Sequence, residues 1–163
     1  MIALSIQQPW LYCITDGTKR VENRRWAPRP HEWRALEIHG RQLLLHAGLT
    51  YQTGQELYIH ADSPEVNIAG MLSSPRGAVV GICQLVAVLP PGNDRKLPSD
   101  QRIWSDRQQY RFLLTDVRKF LAPIPYRGMP RFFEVMPPAL VADAIATAIP
   151  ATASSQDSYL PRS

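Results

Sequence analysis

Short apolar runs separated by turns dominate the pattern of hydrophobic and polar positions along the chain. Ile2, Leu4 and Ile6 alternate with small or polar neighbours, which is the two-residue period of a strand. Residues 42–47 are almost continuously apolar and residues 78–89 are rich in β-branched side chains, both typical of buried strands. Further strands are predicted over residues 19–26, 110–115 and 132–135.

Helices are predicted in four places, and the first of them is short. Pro9 suits the first position of a helix, since its missing amide hydrogen would have no partner there. The apolar stripe that follows ends at Gly17, which can take the left-handed conformation that closes a helix. The other helices are predicted over residues 51–62, 63–72 and 139–149, and residues 31–40 and 90–100 are expected to be loops.

This order of elements predicts an α+β fold. Several short strands with one or two helices placed early favour a small mixed β-barrel, with helices packed at its side and ends. Fifteen prolines among 163 residues also favour a loop-rich fold of short strands over a helical bundle. The length suits one domain with a real core, and no repeat or second domain is visible.

Composition narrows the class of protein only slightly. The apolar fraction of 45% and the charged fraction of 20% are those of a soluble globular protein. A net charge of +4 permits a polyanionic partner without requiring one. Cys13 and Cys83 lie in apolar surroundings, and we interpret them as free thiols of a reducing cytoplasm. Because no signal-peptide pattern is present and the longest apolar run is too short to cross a bilayer, we expect a cytoplasmic location and no membrane partner.

Residues 17–26 form a strongly polar stretch that directly follows the first predicted helix. They carry a turn glycine, four basic side chains, one carboxylate, one amide and one indole, and only Val21 suits an ordinary core. A segment this polar beside an apolar helix more readily lines a site than stabilises a fold. We therefore expect it to form the floor of a pocket for a nucleotide or a nucleic-acid strand.

Alternation along a strand places Glu22, Arg24 and Trp26 on one face. A carboxylate can accept a hydrogen bond from the exocyclic amine of a base, an arginine can hold a phosphate, and an indole can stack on a base. The competing interpretation is a salt bridge beside a core tryptophan. Asn23 either reads the edge of a base or bonds to the backbone at a turn.

Lys19 can serve as a base or as a fixed positive charge, and its relation to Glu22 decides between these roles. On a regular strand the two side chains point to opposite faces, so they share a pocket only if Lys19 lies in a turn or a bulge intervenes. A neighbouring carboxylate stabilises the charged ammonium, which favours binding over general-base chemistry. The competing interpretation is a solvated lysine in a turn.

No residue pattern points to a metal or an organic cofactor. The four histidines are not accompanied by other metal ligands at the usual spacing. Neither a phosphate-binding glycine loop nor a dinucleotide motif is present, and no Ser-His-Asp or Cys-His arrangement can be identified. We therefore expect neither a metal nor a cofactor.

Six motifs follow one another along the chain. They are Ser-Ile-Gln-Gln-Pro-Trp at 5–10, Gly-x-Lys-Arg-Val-Glu-Asn-Arg-x-Trp at 17–26, Leu-Leu-His-Ala at 44–47, Pro-Arg-Gly-Ala-Val-Val-Gly at 75–81, Tyr-x-Phe with Asp-Val at 110–117, and Pro-x-Pro with Arg-Gly at 123–128. Together they resemble the ASCH domain, the activating signal cointegrator homology domain. The resemblance covers residues 1–136 and implies a β-barrel similar to the PUA domain. Residues 137–163 are then a C-terminal extension, a short helix followed by a tail expected to be disordered from residue 151.

The resemblance implies a function connected with nucleic acids. Many ASCH domains are treated as RNA-binding modules, one bacterial branch hydrolyses the acetyl amide of N4-acetylcytidine, and a ribonuclease activity has been proposed for another. Lys19 matches the lysine of the amidohydrolase branch, whereas Glu22 stands where that branch has threonine. The positions expected to bind the ligand are Gln8, Lys19, Arg20, Glu22, Asn23, Arg24, Trp26 and Arg127.

The sequence supports three hypotheses. The leading one is a single domain that binds RNA or a nucleotide in a basic cleft between the first helix and the barrel. The second is a metal-independent hydrolase of the same fold, acting on a modified nucleoside or on RNA, with Lys19 and Glu22 as its catalytic residues. The third is a protein-interaction module, which the proline-rich edges and the C-terminal tail would suit. The oligomeric state is left open.

Overall fold

The computed structural model describes residues 1–93 and 95–151, and within them a seven-stranded sheet is the central element. The strands are β1 (Ile2–Gln8), β2 (Val21–Arg24), β3 (Gln42–Tyr51), β4 (Ala78–Leu89), β5 (Tyr110–Pro125), β6 (Phe132–Glu134) and β7 (Ile149–Pro150). They pair in the order β2-β5-β4-β3-β1-β6, with β7 beside β5. β1 and β3 run parallel, and the other pairings are antiparallel.

Five α-helices and one 3₁₀ helix accompany the sheet in the described part of the chain. They are α1 (Trp10–Thr15), α2 (Pro30–Ile38), α3 (Glu56–Asp62), α4 (Ile68–Ser73), the 3₁₀ helix (Ser99–Trp104) and α5 (Ala139–Ala146). The predicted α+β class is therefore confirmed. None of the described helices is both long and apolar enough to span a membrane.

Within the described residues the sheet is not closed, so the predicted barrel is not confirmed. β2 and β6 are the two ends of the pairing order, and they have only four and three residues. Aromatic side chains bring these ends together: the ring of Trp26, just after β2, lies edge-on to Phe132 of β6 with centroids 5.4 Å apart. Side-chain packing takes the place of a hydrogen-bonded ladder across this gap.

α2 lies where a loop was expected, so that prediction is wrong. The apolar face of the helix is short, since Leu36 is its one fully buried residue and Trp33, one turn earlier, packs partly buried against the core. The helix is held by its first turn, where Pro30 stands at the first helical position and the Glu32 carboxylate accepts a hydrogen bond of 2.7 Å from the backbone N–H of Arg29. Glu32 also pairs with Arg131 at 2.6 Å, a contact that no local pattern reveals.

The longest antiparallel pair, β4 with β5, extends well beyond its prediction. β5 continues from residue 115 to Pro125, and its ladder with β4 shifts register three times. At Gly81 an added Cβ would lie 2.5 Å from the carbonyl oxygen of Arg118, so the strands approach more closely there than a side chain allows. Ala151, where the predicted tail begins, is buried and donates a backbone hydrogen bond to Val117. Residues 152–163 lie outside the described residues.

Packing around β2 sets the direction of the polar stretch. Val21 is fully buried in a cluster with Cys13 of α1 and Trp104 of the 3₁₀ helix. Since successive side chains of a strand alternate, Glu22 turns to the opposite side from Val21. The core thereby fixes which side chains of β2 are available to a site.

Candidate functional site

A cavity of about 550 Å³ lies between α1, β2 and the 3₁₀ helix, and we call it the first cavity. Its lining consists of Gln7, Trp10, Lys19, Glu22, Asn23, Arg24, Arg25, Gln52, Ile103, Trp104, Ser105, Asp106 and Gln109. Half of the eight predicted binding residues lie in this lining. They are Lys19, Glu22, Asn23 and Arg24.

An ion triad forms the floor of the first cavity. The Nζ of Lys19 lies 2.9 Å from Oε2 of Glu22, and Oε1 of the same carboxylate lies 3.2 Å from Nη2 of Arg24. The side chain of Lys19 is 2% exposed, that of Glu22 9% and that of Arg24 21%. Two cations share one carboxylate, so the floor carries an excess positive charge in a largely desolvated place.

Lys19 reaches Glu22 because it precedes the strand. Its backbone N–H donates to the carbonyl of Cys13 and so closes α1, which frees its side chain from the alternation of β2. The Nζ of Lys19 also donates to the carbonyl of Val21. Lys19 is therefore a buried lysine with fixed partners and not a solvated lysine in a turn.

Asn23 uses its side-chain amide to hold the segment opposite β2. Its Nδ2 donates to the carbonyl of Trp104 at 2.8 Å, and its Oδ1 accepts from the backbone N–H of Asp106 at 3.0 Å. Hydrogen bonds from the backbone of Gln108 and the side chain of Gln109 hold the pKa of Asp106 below its usual value. Asp106 is a second carboxylate of the cavity, and no sequence pattern had indicated it.

Trp10 forms part of the wall of the first cavity. Its indole Nε1 donates to Oε1 of Gln52 at 2.8 Å, which fixes the ring while leaving it half-buried. Gln7 also lines the cavity, whereas its neighbour Gln8 does not. An indole fixed in this way is suited to stacking against a planar ligand.

Arg20 and Gln8 lie inside the fold, away from the first cavity. The Nη1 of Arg20 donates to the carbonyls of residues 14, 17 and 19, and burial lowers the pKa of this guanidinium. Gln8 is 1% exposed, donating to the carbonyl of Pro75 and accepting from the backbone N–H of Tyr12. Both side chains hold α1 in place, so their structural contribution is to position the cavity wall.

Trp26 and Arg127 are also outside the first cavity. Trp26 packs against Phe112 and Phe132, and the guanidinium of Arg131 lies 4.1 Å from its ring centroid. Arg127 is exposed and lines a second cavity of about 750 Å³, which adjoins the first because Gln7 and Arg24 line both. The structure therefore divides the predicted binding residues between a charged floor, the protein interior and a neighbouring cavity.

The described residues contain no cluster of three or more His, Cys, Asp or Glu side chains arranged to hold a metal ion. The chemistry of the first cavity consists of charge, hydrogen bonding and aromatic surface. The family model described as "ASCH domain" matches residues 4–124 of the 163.

The chain belongs to the ASCH domain family. The match includes the whole lining of the first cavity and five of the six sequence motifs, and it confirms the resemblance. The sixth motif, at 123–128, lies mostly beyond the matched residues. ASCH domains have a PUA-like fold that is often linked to RNA binding. Among curated proteins no relative matches this ASCH domain.

Solved structures share the fold. The ASCH protein of Zymomonas mobilis is 14% identical, with a TM-score of 0.52, over 92% of this chain and 96% of that one. A single-substitution variant of the Zymomonas mobilis protein is 15% identical, also with a TM-score of 0.52, over 90% of this chain and 95% of that one. At this level of identity the similarity concerns the ASCH fold alone.

Proposed function

We propose that this ASCH domain binds RNA or a nucleotide, with one nucleobase seated in the first cavity. The observation that carries the proposal is the triad of Lys19, Glu22 and Arg24, buried at the floor of a cavity that Trp10 helps to enclose. The charged triad at the floor and the Trp10 indole in the wall suit a planar ligand with polar groups along its edges, such as a nucleobase.

The size of the cavity fits a nucleoside. Pockets for small ligands have volumes of about 300–1,000 Å³, and the first cavity has about 550 Å³. Glu22 and Asp106 supply acceptors for an exocyclic amine, whereas Gln109 supplies both a donor and an acceptor. Stacking of a base on Trp10 would add about 1–3 kcal/mol.

The charge of the cavity favours an anionic ligand. The floor carries two cations for one carboxylate, and the exposed Arg25 in the lining stands against Asp106. Three cations against two carboxylates leave the lining an excess of one positive charge. A phosphate group near Arg24 or Arg25 would accept charge-assisted hydrogen bonds. Binding of this kind weakens with salt, by a slope of about −0.7 in log affinity against log salt for each phosphate contacted on a single strand.

Titration of single-stranded RNA and of mononucleotides, followed by fluorescence anisotropy and calorimetry, tests the proposal. Arg25→Ala removes an exposed cation of the cavity and is expected to weaken binding about tenfold, since a charge-assisted hydrogen bond contributes about 1.5 kcal/mol or more. Arg34→Ala removes another exposed arginine, on α2 and outside the cavity, and is expected to leave affinity unchanged. Absent or salt-independent binding by a folded protein would refute the proposal.

A second candidate function, amide hydrolysis on an acylated nucleoside, is favoured by one observation. Lys19 and Glu22 lie 2.9 Å apart within the same cavity lining, so both can reach one bound substrate. Their pairing suits Lys19 as a fixed positive charge in such a reaction and not as a general base. Release of acetate from N4-acetylcytidine, lost in Lys19→Ala with the fold intact, would establish it. A folded protein that binds nucleotides but releases no acetate would refute this amidohydrolase activity.

A further inference from the structure

We infer that the second cavity binds the nucleotide next to the one in the first cavity, so that the domain contacts two consecutive nucleotides of an RNA strand. The inference rests on the proposed function, because it needs a base in the first cavity. It is carried by the shared lining of the two cavities, by the charge of the second one and by its apolar rim. Arg24 belongs to the ion triad as well, whereas Arg127, Arg131 and the apolar rim are independent of it.

The two cavities form one continuous path across Arg24. Gln7 and Arg24 line both of them. The Nη2 of Arg24 donates to the backbone carbonyl of Ser5 at 2.5 Å and lies 3.2 Å from Glu22, so the guanidinium is held between the cavities. About a fifth of its side chain (21%) stays exposed. An arginine at this position is placed to contact the phosphate that joins two nucleosides.

The charge of the second cavity matches a phosphodiester. Three arginines line it, Arg24, Arg127 and Arg131, and none of the described residues in its lining is acidic. Arg131 is oriented by Glu32, whose carboxylate oxygens accept its Nε and Nη2 hydrogens at 2.9 and 2.6 Å. Arg127 is exposed on the segment that follows β5. Glu22 and Glu32, which lie outside this lining, pair with Arg24 and Arg131. The exposed Arg127 therefore supplies most of the net positive charge that the second cavity offers to an RNA backbone.

Apolar and polar surfaces of the second cavity also suit a nucleoside. Leu49 is 80% exposed and Met129 is 48% exposed, and both belong to its lining. Exposed apolar side chains at the mouth of a cavity mark a surface on which a ligand with a flat apolar face, such as a base, can pack. On the wall, the Nε2 hydrogen of His46 bonds to the carbonyl of Tyr126 at 2.9 Å, so Nδ1 accepts from the hydroxyl of Ser5 at 3.0 Å. The oxygen of Ser5 keeps its capacity to accept a hydrogen bond from a sugar hydroxyl.

Titrations of nucleosides and of dinucleoside monophosphates, followed by nuclear magnetic resonance and calorimetry, measure the contribution of the second cavity. The probes are the four ribonucleosides, their homodinucleoside monophosphates, and the same dinucleosides with an uncharged methylphosphonate linkage. The charged dinucleoside is expected to bind at least ten times more tightly than the nucleoside, and the uncharged linkage should lose most of this gain.

Variants of the second cavity test whether its side chains produce the tighter binding of the dinucleoside. Arg127→Ala and Leu49→Ser should each lower the ratio of dinucleoside to nucleoside affinity by about three- to tenfold, whereas Arg34→Ala on α2 should leave that ratio as it is. Thermal melts establish that each variant is folded. If the nucleoside binds and the charged linkage brings no gain, the second cavity is not a nucleotide site. If neither nucleosides nor single-stranded RNA bind the folded protein, the proposed function fails first and the inference falls with it.

Discussion

Replacing Glu22 by glutamine removes the one negative charge from the triad at the floor of the first cavity. The substitution keeps the shape and a hydrogen-bond acceptor, so its effect reports on charge. Without the carboxylate, Lys19 is a cation that is 2% exposed, and its remaining hydrogen bond goes to the carbonyl of Val21. Arg24 keeps its bond to the carbonyl of Ser5. We therefore expect a marked loss of stability.

The structure sets the size of that loss. Removing one partner of a buried ion pair costs about 3–5 kcal/mol, because the other charge stays buried without compensation. Glu22→Gln keeps an acceptor for Lys19, so we expect about 3 kcal/mol, the lower end of that range. For a domain of this length such a loss lowers the melting temperature by about 6–12 °C.

Urea denaturation followed by circular dichroism at neutral pH measures the change. Glu37→Gln is the matched control, because Glu37 pairs with Arg41 at 3.5 Å on the surface, where the two side chains are 49% and 40% exposed. Exposed ion pairs of this kind contribute about 0.2–1 kcal/mol. A double-mutant cycle with Lys19→Met should show coupling, since that change removes the charge that Glu22→Gln leaves unpaired. A Glu22→Gln variant no less stable than Glu37→Gln would refute a buried triad.

Three further predictions concern other parts of the fold. Burial lowers the pKa of His46, so in acid the unfolded chain binds more protons than the folded protein. The free energy of unfolding should therefore fall as the pH drops below about 6.5. Denaturation of a His46→Asn variant should show a weaker pH dependence. Gly81→Ala should cost about 1–3 kcal/mol in urea denaturation because its Cβ would meet the Arg118 carbonyl; unchanged stability would contradict the close approach. Burial raises the pKa of Cys13 to about 12 and also raises that of Cys83, so a thiol reagent at pH 8 should label neither until denaturant is added.

The sequence predicted the elements whose signals are local. Strands β1, β3 and β4 follow from alternation or from continuous runs of apolar and β-branched residues, which need no distant partner to be recognised. The order of the motifs also identified the family, because each motif is contiguous. α2 was missed because its apolar face consists of little more than Trp33 and Leu36. A capped first turn and the Glu32–Arg131 pair, whose partners are 99 residues apart in the sequence, also stabilise the helix.

The residues of the candidate site also fall into two groups, those that the local sequence predicts and those that only the tertiary structure brings together. The sequence by itself brought Lys19, Glu22 and Arg24 into one hypothesis, because they are neighbours along the chain. Tertiary structure alone decided that Lys19 lies before the strand and turns to Glu22, and that Asp106 joins the cavity through Asn23, 83 residues away. The physical reason is that the packing of β2 against its neighbours sets the direction of its side chains. Those neighbours, α1 and the 3₁₀ helix, are separate from β2 in the sequence.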